Sequence, residues 1–149
     1  MTDRTANVTW SGSLMDGNGT IESVDSGAFG PLDVTWAART EDPEGLTSPE
    51  ELLAAAHATC FVTSLGGELA RAGTPPERLA IHCTITMDEV EGMGHRIVSS
   101  AISARGIAPG ADQASFAQAA EAADAGCPFS ALIKASATVT VQATLEEGS

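Results

Sequence analysis

Ser48-Pro49-Glu50-Glu51-Leu52-Leu53-Ala54-Ala55-Ala56-His57-Ala58-Thr59-Cys60-Phe61 reads as the first half of a long helix that carries a cysteine inside the fold. Ser48 is a good N-cap, Pro49 suits the first helical position, and Glu51 stands where a capping box needs its carboxylate. Glu50 and Glu51 place negative charge on the positive end of the helix dipole. Ala and Leu then sustain helix propensity through Leu65 and Leu69 to a stop at Gly73. The Gly66-Gly67 pair costs about 1–2 kcal/mol of propensity relative to alanine. It therefore calls for a close backbone approach or a kink.

Upstream of this helix the chain reads as strands and turns. Ala6 to Trp10 is expected as a short strand, followed by a tight turn at Asp16-Gly17-Asn18-Gly19. Thr20 to Ser26 resumes extended structure, Gly27-Ala28-Phe29-Gly30-Pro31 turns again, and Leu32 to Arg39 alternates as a third strand. Thr40 to Thr47 is an acidic loop leading to the Ser48 cap. Downstream, Leu79, Ile81, Cys83, Ile85 and Met87 alternate along a fourth strand, and Glu91-Gly92-Met93-Gly94 turns into a fifth from His95 to Arg105. Asp112 caps a second helix, Gln113 to Ala125, with Gly126 as its stop. Cys127-Pro128-Phe129-Ser130 opens a turn and a short helical stretch, and Ala137, Val139, Val141, Ala143 and Leu145 line one face of a last strand. Strands cluster in hairpins rather than alternating with helices, which predicts α+β architecture with antiparallel sheets in a single domain over 1–149.

Composition narrows the function classes. With 149 residues the chain is long enough for one domain with a real core, and aromatics at 4% leave that core to aliphatic side chains. A net charge of -13 repels phosphates, so nucleic acid and anionic membrane surfaces are excluded as partners. No apolar run is read as long enough to span a bilayer, and the N-terminus lacks a signal-peptide core, so the expected location is cytoplasmic. Cysteine numbers 3, an odd count and a poor disulfide framework.

The cysteines differ in setting. Cys83 lies on the apolar face of its strand and reads as a small packing hydrophobe. Cys60 is either a packing residue of an Ala-rich helix or a redox residue, and His57, three positions earlier on the same face, is placed for a thiol–imidazole contact. Cys127 follows a helix-ending glycine and precedes Pro128, which holds it extended at a junction where it can meet a partner thiol. Metal is a competing use of these side chains, but no C-x-x-C pair is present.

The motif Thr47 to Phe61 resembles the first cysteine motif of the OsmC/Ohr family of organic hydroperoxide peroxidases, and Gly126-Cys127-Pro128-Phe129-Ser130 resembles its second. The order of elements fits along nearly the whole chain. His57-Ala58 and the late position of Arg39 look like the OsmC branch, whereas the Ohr branch usually has a Gly-Tyr pair there and an arginine much nearer the N-terminus. Ser48 departs from the Asn common in the family, but either caps a helix. The resemblance implies an OsmC-like fold with a central buried helix, working as an intertwined homodimer. It implies a two-cysteine peroxidase with Cys60 peroxidatic and Cys127 resolving, Arg39 and Glu50 as the charged pair at the reactive thiol, and no metal, haem or flavin. Its partners are then an organic hydroperoxide substrate and a dithiol reductant, in the better-understood branch a protein-bound lipoyl group.

That chemistry sets physical demands. An ordinary cysteine, pKa near 8.5, is only about 3% thiolate at pH 7. Lowering its pKa by about two units takes roughly 2.7 kcal/mol of preferential anion stabilisation, which a permanent guanidinium charge supplies. Arg39 otherwise reads as a solvated strand-end charge and Glu50 as a helix-dipole residue. Glu50 and Cys60 stand ten residues apart, about 15 Å along one straight helix. They share a site only if the helix breaks or a second subunit contributes one of them. Leu53, Ala56, His57, Phe61 and Phe129 are the expected lining of an apolar substrate pocket, which favours an organic hydroperoxide over hydrogen peroxide. The rival reading keeps the fold and silences the thiols, as a non-catalytic apolar-ligand-binding or structural stress protein. The joint presence of Cys60, Cys127, Arg39 and Glu50 favours the peroxidase.

Overall fold

Trp10 pairs with Gly19 across the first two strands, and a Cβ on Gly19 would sit 2.6 Å from the indole ring. Only glycine lets the ring lie over that backbone. The computed structural model describes residues 1–148 and divides them into two compact units, one of Met1–Leu52 and one from Leu53 onward. In the first unit, β1 (Ala6–Ser11), β2 (Asn18–Val24) and β3 (Leu32–Val34) form an antiparallel meander in sequence order.

The third strand is shorter than the alternation predicts. Leu32 to Arg39 was expected to stay extended, but Thr35, itself extended at φ -135° and ψ 164°, caps a helix α1 (Trp36–Thr40) by accepting the Ala38 N–H. Trp36-Ala37-Ala38 offers no polar–apolar alternation, and Thr is a good cap, so the local helix wins. Arg39 consequently lies in the last turn of α1, where the dipole favours a cation, 5.5 Å above the Trp36 ring that precedes it by one turn.

α2 runs from Pro49 to Arg71 without a break. Ser48 caps it through the Glu51 N–H at 3.1 Å, but the capping box is only half made, because the Glu51 carboxylate accepts the Thr47 hydroxyl instead. His57, Phe61, Leu65 and Leu69 repeat every four residues and form its buried stripe. At the C-terminus the Thr74 N–H reaches Leu69 O and the Gly73 N–H reaches Ala70 O, with Gly73 at φ 81°, the left-handed cap that glycine permits. Against expectation, α2 is long and apolar enough, by length and composition, to cross a membrane. Its alanines raise the mean hydropathy while its stripe packs into a protein core, so length and composition alone do not make it a span.

In the second unit β4 (Arg78–Val90) and β5 (Gly94–Ile107) form a long antiparallel hairpin, and β6 (Thr138–Leu145) joins the β5 edge in parallel. The sheet is therefore mixed, which corrects the all-antiparallel expectation. The chain between β5 and β6 holds α3 (Gln113–Gly126) and α4 (Pro128–Lys134), and a crossover of that length returns the strand to the starting end of β5. α3 is fixed by an Asp112–Ser115 capping box. Gln113 bonds Ala143 O and the Leu145 N–H, tying the helix start to the free edge of β6. The core joins Phe61, Leu65 and Leu69 of α2 to Phe116, Ala119, Ala120 and Ala123 of α3 over Ile102 and Ala104 of β5. Cys83 packs at its margin, as expected.

Candidate redox site

Cys60 sits mid-way along α2, and Cys127 sits at the junction of α3 and α4, where it is at once the C-cap of one and the N-cap of the other. Gly126 before it and Pro128 after it hold Cys127 extended, at φ -83° and ψ 115°. The two sulfurs, 67 positions apart in sequence, lie 3.1 Å from each other, and both are free thiols. That separation lies between a shared thiol proton and the roughly 2.05 Å of a formed disulfide. Cys127 is 1% exposed, whereas Cys60 is partly open to solvent.

The two sulfurs lie close enough for the charge of one to affect the ionisation of the other. Burial pushes the Cys60 thiol up, the Cys127 sulfur adds to that, and the Phe129 backbone N–H pulls the other way. Cys127 is also raised by burial. The Ser130 backbone N–H, the Cys60 thiol, the Ser130 hydroxyl and the Phe129 N–H outweigh it, so its pKa falls below the ordinary thiol value. The Ser130 N–H approaches Cys127 Sγ at 3.5 Å. Within this unit the first turn of α4 therefore favours ionisation of Cys127 over that of Cys60.

Arg39 and Glu50 come together within the first unit. Arg39 Nη2 donates to Glu50 Oε1 at 2.7 Å and Nε to Oε2 at 3.3 Å, a two-point fork on one carboxylate. The Glu50 bond raises Arg39 further above its already high value, with burial opposing and the carboxylate charge adding. Burial tends to raise Glu50, but the Arg39 bond, its own N–H and the Arg39 charge hold it below the usual carboxylate range.

The expected pocket residues divide. Leu53, Ala56 and Phe129 are partly exposed, as a substrate-facing surface requires. His57 and Phe61 are both 0% exposed, because they belong to the inward stripe of α2, and neither offers a surface to a substrate. A groove of about 450 Å³ in the second unit runs past Ile107, Gly110, Leu145 and Glu147, and its lining holds none of the expected pocket residues. His57 makes no bond to Cys60 either. Its Nδ1 meets Ser100 Oγ at 2.6 Å and its Nε2 meets Ser130 Oγ at 2.8 Å. Ser100 and Ser130 were given no role from the sequence. The signal was present for Ser130, inside the second cysteine motif, but a serine in mid-strand such as Ser100 announces nothing. Among the described residues no three His, Cys, Asp or Glu side chains converge to hold a metal.

An α+β chain with two small sheets and two apposed free thiols defines a class of small thiol proteins. A family model described as OsmC-like protein matches residues 41–142. Peroxiredoxin OsmC of Escherichia coli (strain K12) is 35% identical over 133 residues, covering 89% of this chain and 91% of that protein. The chain belongs to the OsmC family. Among solved structures, an OsmC organic hydroperoxide resistance protein from Legionella pneumophila superposes with TM-score 0.70 at 18% identity, over 94% of this chain and 96% of its own. The organic hydroperoxide resistance protein OhrB of Bacillus subtilis gives TM-score 0.68 at 22% identity, over 94% and 98%. These two likenesses speak for the fold.

Proposed function

We propose that the protein is a thiol-dependent peroxidase that reduces organic hydroperoxides to alcohols, with Cys60 as the attacking residue and Cys127 as the resolving one. The observation that carries this reading is the 3.1 Å approach of two free sulfurs from distant parts of the chain. The names of its relatives, a peroxiredoxin and organic hydroperoxide resistance proteins, point the same way. Cys60 is assigned the first step because it is the more accessible sulfur.

The Cys60 thiolate attacks the O–O bond, the alkoxide leaves and is protonated to the alcohol, and the sulfur becomes a sulfenic acid. Cys127 then attacks that sulfur, the S–O bond breaks, and hydroxide leaves as water, giving the Cys60–Cys127 disulfide. A dithiol, such as a lipoyl group on a protein, reduces it. The substrate surface is Leu53, Ala56 and Phe129, which suits an alkyl or aryl group. In this reading the protein acts in the cytoplasm, where dithiols are maintained.

Cys60 needs a cation, since its own unit raises its pKa. Arg39, oriented by Glu50, is the cation we assign to it. α2 is unbroken, and ten residues of helix separate Glu50 from Cys60 by about 15 Å. The reading therefore uses an intertwined homodimer in which the Arg39–Glu50 pair of one subunit serves Cys60 of the other, both units of each chain acting as one domain and α2 buried at its centre. Two features support this. Every residue of β1 is exposed, with Val8 at 60% and Trp10 at 42%, so the first sheet has a face without a cover. A Cβ on Gly66 would meet nothing within 4 Å, and the nearest atoms to one on Gly67 belong to the Arg71 side chain of the same helix, so no crossing element of the chain explains the pair.

The test is a count of free thiols before and after one equivalent of cumene hydroperoxide. Loss of two thiols per chain with release of cumyl alcohol supports the cycle, and no loss refutes it.

A further inference from the structure

The buried polar cluster around His57 is not used by the cycle as described, and it is built with a direction. His57 of α2, Ser100 of β5 and Ser130 of α4 are each 0% exposed, and polar groups so deep persist only when every donor and acceptor is matched. Cys83 of β4 joins them, its Sγ 3.3 Å from Ser100 Oγ and 3.9 Å from His57 Nδ1. Ser130 in turn meets Cys127 through its backbone N–H, 3.5 Å from Cys127 Sγ. A run of buried polar contacts thus leads from Cys83, a thiol away from the redox pair, to Ser130, whose N–H meets Cys127, a member of it.

A neutral imidazole has one donor and one acceptor, so the path runs one way or the other. Burial holds His57 below the ordinary imidazole range, Asp124 raises it and Lys134 lowers it, and the ring is neutral. Those two groups pair with each other, Lys134 Nζ to Asp124 Oδ2 at 2.5 Å. Burial keeps Cys83 protonated against a smaller opposing bond from Ser100. With Cys83 as the first donor, its S–H goes to Ser100 Oγ, the Ser100 O–H to His57 Nδ1 and the His57 Nε2–H to Ser130 Oγ. Each donor is used once, and the last acceptor is the hydroxyl of the residue whose N–H meets the sulfur. The opposite direction would run from the Ser130 O–H through His57 and Ser100 to Cys83.

We propose that His57 is a positioning residue for the second cysteine: backed by Ser100 and Cys83, it anchors the Ser130 side chain, so that the Ser130 N–H stays aimed at Cys127 Sγ and readies that sulfur to attack oxidised Cys60. The attack itself rests on the peroxidase reading. The hydrogen-bond chain does not, and the two are tested apart.

For the chain alone, reduced Cys60→Ser protein is titrated by thiolate absorbance near 240 nm with no peroxide present. Adding Ser130→Ala, and separately Ser100→Ala, should move the Cys127 midpoint upward, Ser130→Ala more. Ser100 touches neither redox sulfur, so a merely structural role would leave that midpoint where it was. For the reaction, the wild-type chain, Ser130→Ala and His57→Gln are given one equivalent of cumene hydroperoxide, and the Cys60 sulfenic acid is trapped with dimedone. Its formation rate should hold, while its conversion to disulfide at pH 7 slows about tenfold and recovers as pH rises. If His57→Gln does not fold, the two serine variants decide. Unchanged midpoints in both serine variants overturn the proposal, whatever the peroxide arm shows. Wild-type protein that forms no sulfenic acid sinks the peroxidase reading and leaves the titration to judge the chain.

Discussion

At the scale of single residues, two sulfurs and one ion pair carry the proposal. Cys60→Ser should abolish hydroperoxide consumption. Cys127→Ser should allow one turnover and then leave Cys60 as a lasting sulfenic acid prone to over-oxidation, seen as a mass gain of one or more oxygens on the intact chain. Glu50→Gln removes the carboxylate that fixes the Arg39 fork. It should lower stability at neutral pH by about 1 kcal/mol, a value discounted because Arg39 is a third exposed. The sign with pH follows from the direction of the shift. A carboxyl held below its unfolded value contributes stability above the ordinary carboxylate range and loses it as pH falls through its folded pKa. Urea midpoints of wild type and Glu50→Gln should therefore converge in acid. His57 has a lowered folded pKa too, so its contribution is complete above about pH 6.5 and fades below it, as the unfolded chain takes up the proton first.

At the scale of elements, the glycines separate what the chain needs from what a partner needs. A Cβ on Gly106 of β5 would stand 2.6 Å from Leu79 Cδ2 and 2.9 Å from the Phe116 ring. Gly106→Ala should therefore cost about 1–3 kcal/mol by overpacking the join of sheet and α3, read as a lower urea midpoint at unchanged slope. Gly66 is the opposite case, with open space where its Cβ would go. In an isolated chain Gly66→Ala would gain about 1 kcal/mol of helix propensity. If a partner helix crosses there, the same change weakens the dimer, and sedimentation at graded concentration tells the two apart. Elements with strong local chemistry were legible in the sequence: α2 from its cap and its Gly73 stop, α3 from Asp112, and the β4–β5 hairpin from its alternation and Gly92. α1 was not, because Leu32-Asp33-Val34 begins a genuine alternation and only the Thr35 cap diverts it. The parallel register of β6 was not either, since a strand's own pattern is the same in either orientation.

At the scale of the whole molecule, a dimer should sediment at roughly twice the chain mass of 15.1 kDa. Trp10→Glu on the uncovered first sheet should shift it toward monomer, and hydroperoxide turnover should fall with the dimer fraction. Turnover that persists in a verified monomer would exclude the shared site. The net charge of -13 predicts that added salt favours association, because like-charged subunits are screened. The sequence by itself determined the α+β class, because caps, turns and periodicity act within a few residues of each other, and its two cysteine motifs gave the family through resemblance. Only the tertiary structure decided that Cys60 and Cys127 meet at 3.1 Å, that His57 faces two serines rather than the neighbouring thiol, and that Phe61 is core rather than pocket. Those facts depend on which side of α2 packs against β5 and the α3–α4 crossover, and side-by-side packing of distant segments leaves no mark in local sequence.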